Sequence, residues 1–461
     1  MRRLLFLWLA LPGCTVGPRY ERPTIAVPKA FSEGSAAGPT SFERWWTGFH
    51  DPILERLVQR AVEGNLDLKI SAARIREARA ARGMAAAAGL PQVSASGGYS
   101  RSKRLVARTN GIVLADGSSA QNIFEAGFDA SWEIDLFGGV RRDEEAALAQ
   151  VEAAEEAREE VLVTLLADVA RNYLELRGAE RQIEILDQTV ESQKQTLALA
   201  QARLDSGMGA DLDVARAEGL LAATLAQRPV LEILRRQSPL RIGVLLGRDP
   251  EVLLAELDAP GALPSALPEI PQFLPSDLLS RRPDLRRSER ELAAATARIG
   301  VAMADLFPRF NLLGSFGRRS NDLGELNASS QFWSAGLGFQ WPILAGGRIR
   351  ANIRVEEARQ EQALLQYEKA ILTSLEETEN ALSVHTRELR RRESLRAAVA
   401  ANRRALELAT ERYASGLENF LGVLDAQRSM YAAEDQLVQS ERNAAVTLIA
   451  VYKALGGGWS S

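Results

Sequence analysis

Few side chains in this sequence are of the types that carry covalent or metal chemistry. The 461 residues include one cysteine, Cys14, and two histidines, His50 and His385. A single cysteine excludes an intrachain disulfide and a multi-cysteine metal site, and two distant histidines cannot form a histidine-rich cluster. A GxSxG nucleophile motif, a phosphate-binding glycine loop and an HExxH helix are also missing from the sequence. We therefore predict no catalytic residues, no cofactor and no metal site.

Cys14 has the surroundings of a lipid-attachment site. It is preceded, in chain order, by two arginines, a short apolar run, a proline and a glycine. This order describes an export signal and resembles a bacterial lipobox, although Pro12 stands where a small residue is usual. We predict a signal peptide over 1–13 and acylation of Cys14, and Thr15 after it favours the outer membrane in bacterial lipoproteins. The alternative is a frayed terminus with a buried cysteine.

Three carboxylates share one face of a predicted strand. Glu125, Asp129 and Glu133 alternate with aromatic and aliphatic residues, and successive side chains of a strand point to opposite faces. Around a water-filled lumen these acids would favour cations; the alternative is a merely solvated wall. The same alternation predicts four strands, at 92–101, 122–134, 309–318 and 332–343.

The four strands suit either of two environments. A soluble sheet would rest its apolar face on a core, whereas a membrane barrel would turn that face to lipid. No run in the sequence approaches the roughly 18 apolar residues of a membrane-spanning helix, and the export signal favours the barrel. Even the narrowest membrane barrels use about eight strands and cannot leave open edges in hydrocarbon. Several copies must therefore share one barrel, and the pattern is compatible with two, three or four.

The longest predicted elements are two helices, at 140–206 and 348–415. Both stretches are free of proline, and the first is rich in strong helix formers. In the first stretch, apolar residues recur at alternating spacings of three and four positions, as in a coiled-coil seam. At a rise of ~1.5 Å per residue this helix would be about 100 Å long. A glycine ends each helix, so each is predicted to turn and return as an antiparallel hairpin. The remaining predicted helices are 52–88, 212–246, 276–305 and 420–455.

The sequence contains an internal duplication. Matched residues recur at an offset of 217 positions in the early part and 209 afterwards, and the one change falls in a glycine-containing loop. Matched positions include Gly89 with Leu306, Trp132 with Trp341, Gly207 with Gly416 and Leu212 with Leu421. The predicted segments are a signal peptide at 1–13, a lipidated extended leader at 14–51, repeat 1 at 52–257, a proline-rich connector at 258–275, repeat 2 at 276–457 and a tail at 458–461.

Five short motifs occur in order along the chain. They are CTVGPRY at 14–20, Trp45-Trp46 followed by Asp51-Pro52, WEIDLFG at 132–138, LPSDLLSRRPDL at 274–285 and GGRIR at 346–350. With these motifs nearly the whole chain resembles the TolC/OprM-type outer-membrane efflux proteins, specifically the lipoprotein, NodT-like branch paired with proton-driven multidrug pumps.

The resemblance implies a fold and a function. The fold is an α+β membrane protein in which a homotrimer closes a twelve-stranded β-barrel, four strands per chain, continuous with a periplasmic tunnel of antiparallel coiled-coil helices. The function is the outer-membrane exit duct of a tripartite efflux pump, which passively conducts small molecules from the periplasm to the outside. The implied partners are a periplasmic adaptor, an inner-membrane proton-driven pump and outer-membrane lipid. The implied location is the outer membrane, with a lipid anchor.

The resemblance also assigns residues to a periplasmic aperture. A lock aspartate falls on Asp213, a lock tyrosine on Tyr413 and an inner aspartate on Asp425. The family's lock arginine is Glu418 here and its outer aspartate is Gly422, so a lock built from arginine bonds cannot operate unaltered. For the two aspartates, a solvated charge near a helix start is the alternative. The hairpin tips that would face the adaptor are placed at Gly207, Leu212, Gly416 and Leu421.

Charge and composition argue against other classes of protein. Fifty-six basic and sixty acidic side chains give a net charge of −4, whereas a nucleic-acid partner would need a basic surplus. We predict no nucleic-acid partner, and an enzyme has no supporting motif. A structural periplasmic coiled-coil lipoprotein would explain the long helices and Cys14, but not four amphipathic strands.

Overall fold

The structure of the chain is a computed structural model. It describes residues 15–32, 43–103, 108–109, 112–113, 120–259, 261–264, 267–270, 273–327 and 331–458. Cys14 and the signal peptide predicted at 1–13 lie outside the described residues. The chain divides into two compact units, here called the strand unit (Met1–Pro23, Ile75–Ala154 and Ser288–Tyr367) and the helical unit (Thr24–Arg74, Glu155–Arg287 and Glu368–Ser461).

Helices make up most of the described chain. In chain order they are α1 (Pro52–Gly64), α2 (Leu66–Ala87), α3 (Gly139–Asp205), α4 (Asp211–Leu225), α5 (Arg228–Leu245), α6 (Pro250–Glu256), α7 (Pro275–Arg281), α8 (Pro283–Ala304), α9 (Arg348–Ala414) and α10 (Phe420–Ala454). None of the helices in the described residues is both long and apolar enough to cross a membrane.

Three stretches that the sequence predicts as single helices are interrupted. The stretch 212–246 is divided into α4 and α5, because Pro229 has no N–H and suits only the first turn of a helix. Pro283 separates α7 from α8, because a proline disfavours helical geometry at the residue before it, here Arg282. Asn65 separates α1 from α2: its side chain caps α2 and donates to the carbonyl of Leu245 at 2.8 Å.

The main strands form a single antiparallel sheet with the order β1–β4–β5–β6. The strands are β1 (Gln92–Ser102), β2 (Arg108–Thr109), β3 (Ile112–Val113), β4 (Gln121–Ile134), β5 (Arg309–Ser320) and β6 (Gln331–Gln340), with β2 and β3 paired separately. The register aligns Phe128 with Phe316 and Phe316 with Trp333. Aromatic and aliphatic residues therefore share one face, here called the apolar face, and the predicted four-stranded sheet is confirmed.

Equivalent contacts recur in the two repeats. Trp132 donates its indole N–H to the carbonyl of Gly89 at 2.9 Å, and Trp341 donates to the carbonyl of Leu306 at 3.0 Å. The two donors are matched by the offset of 209 in the sequence, and the two acceptors by the offset of 217. The predicted duplication is thus confirmed at the level of individual hydrogen bonds.

The core of the helical unit gathers side chains from α1, α3, α5 and α10. Leu54, Leu166 and Leu448 are fully buried there. The ring of Trp45 stacks on Tyr452 with a centroid distance of 5.3 Å, and the Tyr452 hydroxyl donates to the carbonyl of Glu269 at 3.0 Å. This core joins the leader, both repeats and the connector within one unit.

His385 gives this unit a predictable response to acid. It is 3% exposed, its Nδ1 lies 3.0 Å from Thr447 Oγ1, and burial, assisted by the charge of Arg392, lowers its pKa from 6.5 to about 4. The unfolded chain binds a proton at His385 more tightly than the folded chain does. The free energy of unfolding therefore keeps its full value above pH 6.5, as far as this group is concerned, and decreases as pH falls from 6.5 towards 4. The full loss approaches ~3 kcal/mol per chain.

The measurement is thermal unfolding between pH 7.5 and 4.5, with His385→Gln as the comparison. We expect the native chain to lose more stability on acidification than the variant does. Identical pH dependences would show that His385 is not buried as described.

Candidate functional site

Both long hairpins turn in the same way at their tips. In each turn, two N–H groups after the helix donate to carbonyls of its last turn at 2.9 Å. Gly207 and Gly416 have φ values of +75° and +72°, a region that glycine adopts without strain, and the pattern is a Schellman motif. The bonds run from Gly207 to Leu204, from Met208 to Arg203, from Gly416 to Tyr413 and from Leu417 to Arg412.

Apolar side chains are exposed at these tips. The structure places Leu212 at the start of α4 and Leu421 at the start of α10, and both are exposed. Met208 and Leu417 are more exposed still, at 69% and 71%, and neither was predicted. The available signal was an apolar residue directly after each helix-ending glycine.

Tyr413 lies in the small core that packs beneath the tips. It is 4% exposed, and its ring contacts Phe420 with a centroid distance of 5.1 Å. Ala200 from α3 and Val214 from α4 complete this core together with residues of α10. The predicted lock tyrosine is therefore a buried contact between the two hairpins of one chain.

Arg203 joins these hairpins more directly, and it was not predicted from the sequence. Its Nη1 donates to the carbonyl of Tyr413 at 2.6 Å, and its guanidinium carbon lies 4.6 Å from the centroid of the Tyr413 ring. Burial raises the pKa of Tyr413, Asp213 adds to that rise and Arg203 opposes it. A basic residue in the last turn of a helix is favoured by the helix dipole, and this was the only sequence signal for Arg203.

The other predicted aperture residues lie close by but are not all joined. Asp213 acts electrostatically on Tyr413 and lies 4.0 Å from Arg216 of its own helix. Asp425 lies 3.9 Å from Arg428, also on its own helix. At the charge-reversed position, Glu418 Oε2 is 3.5 Å from Arg412 Nε, and Gly422 N–H donates to the capping side chain of Asn419 at 3.0 Å.

The three predicted lumen acids share the polar face of β4. Glu125 pairs with Arg319 at 2.9 Å and Glu133 lies 3.9 Å from Arg309, both arginines being on β5. Asp129 accepts instead from the Ser96 hydroxyl at 2.7 Å. Two of the three carboxylates thus have a cationic partner, and the third is bonded to a neutral group. The two arginines were missed, although they also occupy polar-face positions in the alternation.

The leader is anchored within the strand unit. Arg142 donates from Nε to the carbonyl of Val16 at 3.1 Å and from Nη2 to that of Gly17 at 3.2 Å. Gly17 has φ +91°, and a Cβ there would lie 2.5 Å from the Cα of Gly300, so only glycine permits this approach. The described residue next to Cys14, Thr15, is held beside Gly138 by these contacts.

Among the described residues, no group of three His, Cys, Asp or Glu side chains could hold a metal ion. The geometry of the site is that of contacts between helices and of a sheet with one polar face.

Comparisons with known proteins agree on one family. The family described as "Outer membrane efflux protein" matches residues 57–248 and 274–457. The chain is 34% identical over 463 residues to the pyoverdine export outer membrane protein OpmQ of Pseudomonas putida, covering 99% of this chain and 97% of that one. It is 31% identical over 457 residues to Nodulation protein T of Rhizobium leguminosarum bv. viciae, covering 98% and 92%. The solved outer-membrane channel OprN is similar with a TM-score of 0.89 at 37% identity, over 97% of this chain and 100% of that one.

The predicted fold class is confirmed by this likeness. The two matched segments correspond to the two repeats, and the fold is that of the TolC-like channels, in which three chains complete the barrel. The chain therefore belongs to the outer membrane efflux protein family, and it is an outer-membrane exit duct of a tripartite efflux pump.

Proposed function

We propose that three copies of this chain form the duct, with their sheets closed into one twelve-stranded wall that faces lipid. The observation that carries this proposal is the exposure of the apolar face. Trp333 is 77% exposed and Phe339 is 71% exposed, and Phe128 and Phe316 are also exposed. A soluble sheet would bury such a face on a core, whereas lipid can cover it. The outer strands β1 and β6 then pair with neighbouring copies, since open edges are not tolerated in hydrocarbon.

Acylation of Cys14 would add a lipid anchor beside this wall. The contacts of Arg142 and Gly17 hold Thr15 beside Gly138, four residues beyond the end of β4, and the aromatic Trp132 lies at that end of β4. Aromatic side chains of this kind are enriched at membrane interfaces. One acyl chain alone anchors weakly, so the anchor would act together with the sheet.

The partners proposed for the helix tips are a periplasmic adaptor and, through it, an inner-membrane proton-driven pump. Met208, Leu212, Leu417 and Leu421 form an exposed apolar set at the two turns, here called the tip patch. An exposed apolar set rimmed by polar residues is typical of a protein-binding surface. In this proposal, adaptor binding would pull the hairpins apart at the Arg203–Tyr413 contact and open the aperture.

The test of the proposed function uses export from cells. A strain that lacks the chain should accumulate a fluorescent efflux substrate, and the native chain should restore export. Leu212→Asp combined with Leu421→Asp should abolish the restoration while the protein still reaches the outer membrane. Leu323→Asp, at a leucine outside the tip patch that is more exposed than either of these two, serves as the control and should export normally. Full export by the double variant would contradict the role of the tip patch.

Asp129 sets the expected ion preference of the duct. Its charge is bonded to a hydroxyl rather than to an arginine, whereas Glu125 and Glu133 have arginine partners. We expect Asp129→Asn to shift the ratio of cation to anion permeability towards unity, by about two- to threefold, because three copies line one lumen. Reversal potentials in planar bilayers measure this ratio, with Ser131→Ala on the same strand face as the control. An unchanged ratio would remove Asp129 from this role.

A further inference from the structure

The apolar face of the sheet ends in two arginines. On β1, Val93 and Tyr99 belong to this face, and Arg101 continues the same alternation. On β5, Phe316 is followed in the same way by Arg318. The register places Arg101 opposite Asn122, and Arg318 opposite both Ala126 and Gln331. The two arginines are therefore staggered by four residues in the register, and each lies one same-face position beyond the last aromatic residue of its own strand, in a staggered row that carries two positive charges.

The position of this row follows from the strand lengths. Trp333 and Trp341 lie on the apolar face eight residues apart, about 26 Å along the strand at ~3.3 Å per residue. In a tilted strand this spans most of a ~25 Å apolar band with aromatic girdles. The outer aromatic residues Tyr99 and Trp333 are staggered in the same sense as Arg101 and Arg318, as expected for tilted barrel strands. Each arginine then lies one same-face position outside the aromatic girdle, at the level of lipid headgroups. Because the helices leave from the opposite strand ends, the proposed outer-membrane placement puts this row in the outer leaflet.

The surroundings of these arginines differ from those of their neighbour on the polar face. Arg319 points to the other face and pairs with Glu125 at 2.9 Å. Within the described part of the chain, neither Arg101 nor Arg318 forms an ion pair with a carboxylate. Arg318 donates one N–H to the carbonyl of Asn327, just beyond the end of β5. The Tyr99 hydroxyl donates at 3.2 Å to Asn122, the residue opposite Arg101.

A guanidinium group on a lipid-facing row has one favourable type of partner. It is planar and donates two parallel hydrogen bonds, which match the oxygens of a phosphate. The aromatic rings one row closer to the membrane centre, such as Tyr99 packed on Phe124 at 4.8 Å, suit contact with acyl chains. A ligand with both a phosphate and acyl chains, oriented by the membrane itself, satisfies the whole row.

We propose that Arg101 and Arg318 bind the phosphate groups of a phosphorylated glycolipid of the outer leaflet, of the lipid A type. This inference rests on the proposed function, because it requires the apolar face to lie in the outer membrane. The bound lipid seals the outer rim of the wall at each copy. The site is separate from the lumen and from the helix tips.

The test is native mass spectrometry of the detergent-extracted trimer with added diphosphoryl lipid A, and with phosphatidylglycerol as a competing anionic lipid. The native trimer should retain lipid A in preference to phosphatidylglycerol. Arg101→Gln and Arg318→Gln should each weaken binding about tenfold, as expected for loss of a charge-assisted bidentate contact. Arg319→Gln is the matched control at the same strand end, and it should bind as the native chain does.

The same spectra separate the possible failures. If no trimer is found, the proposed assembly fails. If the trimer is intact but the two variants bind lipid A like the native chain, or Arg319→Gln weakens binding equally, the inference is overturned. Equal retention of phosphatidylglycerol and lipid A by the native trimer would also overturn it.

Discussion

Arg203→Ala is expected to open the periplasmic end of the duct. The side chain donates to the Tyr413 carbonyl at 2.6 Å and covers the Tyr413 ring at 4.6 Å, so it joins the end of α3 to the end of α9. Loss of a charge-assisted hydrogen bond and a cation–π contact removes about 2 kcal/mol per chain. Since three copies would share one aperture, the closed state loses this stabilisation three times. Channel conductance should rise, and cells should become sensitive to large antibiotics that the outer membrane normally excludes.

Three variants isolate the contact. Arg412 is the counterpart of Arg203 in the second repeat, but it is exposed and pairs with Glu418 at 3.5 Å. Arg412→Ala should therefore have little effect on conductance. Tyr413→Phe should also stay closed, because the contact uses the ring and the main-chain carbonyl, whereas Tyr413→Ala should open. A native-like conductance for Arg203→Ala, or an open state for Tyr413→Phe, would contradict this explanation.

Arg177→Ala is expected to prevent stable folding of the helical unit. Arg177 is 1% exposed and lies 2.7 Å from Glu180 Oε2, and it donates to the carbonyl of Ala259 at 3.0 Å. Gly261 N–H donates to the same carboxylate at 3.2 Å, so the pair holds the first residues of the connector against α3. Removing Arg177 takes the nearer cation from the buried Glu180 carboxylate and leaves Arg235 at 3.8 Å, and breaking a buried pair in this way costs up to about 3–5 kcal/mol.

The neighbouring Arg181 provides a matched control. Arg181 pairs with Glu184 at the same i, i+3 spacing, but both side chains are exposed, and such pairs contribute at most about 1 kcal/mol. Thermal unfolding of the purified protein should show a large loss for Arg177→Ala and almost none for Arg181→Ala. The double change Arg177→Met with Glu180→Leu should recover part of the loss. Equal stability of the two single variants would show that the Arg177 contact does not hold the connector.

The long elements of the fold could be predicted closely because single properties determine them. The helix predicted at 140–206 is observed at Gly139–Asp205, since the stretch contains no proline and ends at a glycine. The alternation located every strand of the sheet, although β6 ends at Gln340 rather than at residue 343. Pro342 lacks the N–H that would continue the ladder. The interruptions at Pro229 and Asn65 were missed because a strong helical pattern on both sides outweighed a single residue.

The candidate site was less accessible to sequence reasoning. The resemblance marked Asp213 and Tyr413, but it did not identify Arg203, because the contact joins the two repeats and depends on how their helices pack. The arginines that pair with Glu125 and Glu133 were missed for a related reason: strand alternation predicts a face but not the register between β4 and β5. Pairing across elements is set by three-dimensional packing, and one sequence contains only weak traces of it.

The most direct test of the central claim is the mass of the protein extracted from membranes. We predict a complex of three chains that stays in solution only with detergent or lipid, because the exposed apolar face of each sheet must be covered. A stable single chain in detergent-free buffer, with Trp333 and Phe339 shielded from solvent, would contradict the conclusion that this sheet forms part of a lipid-facing duct.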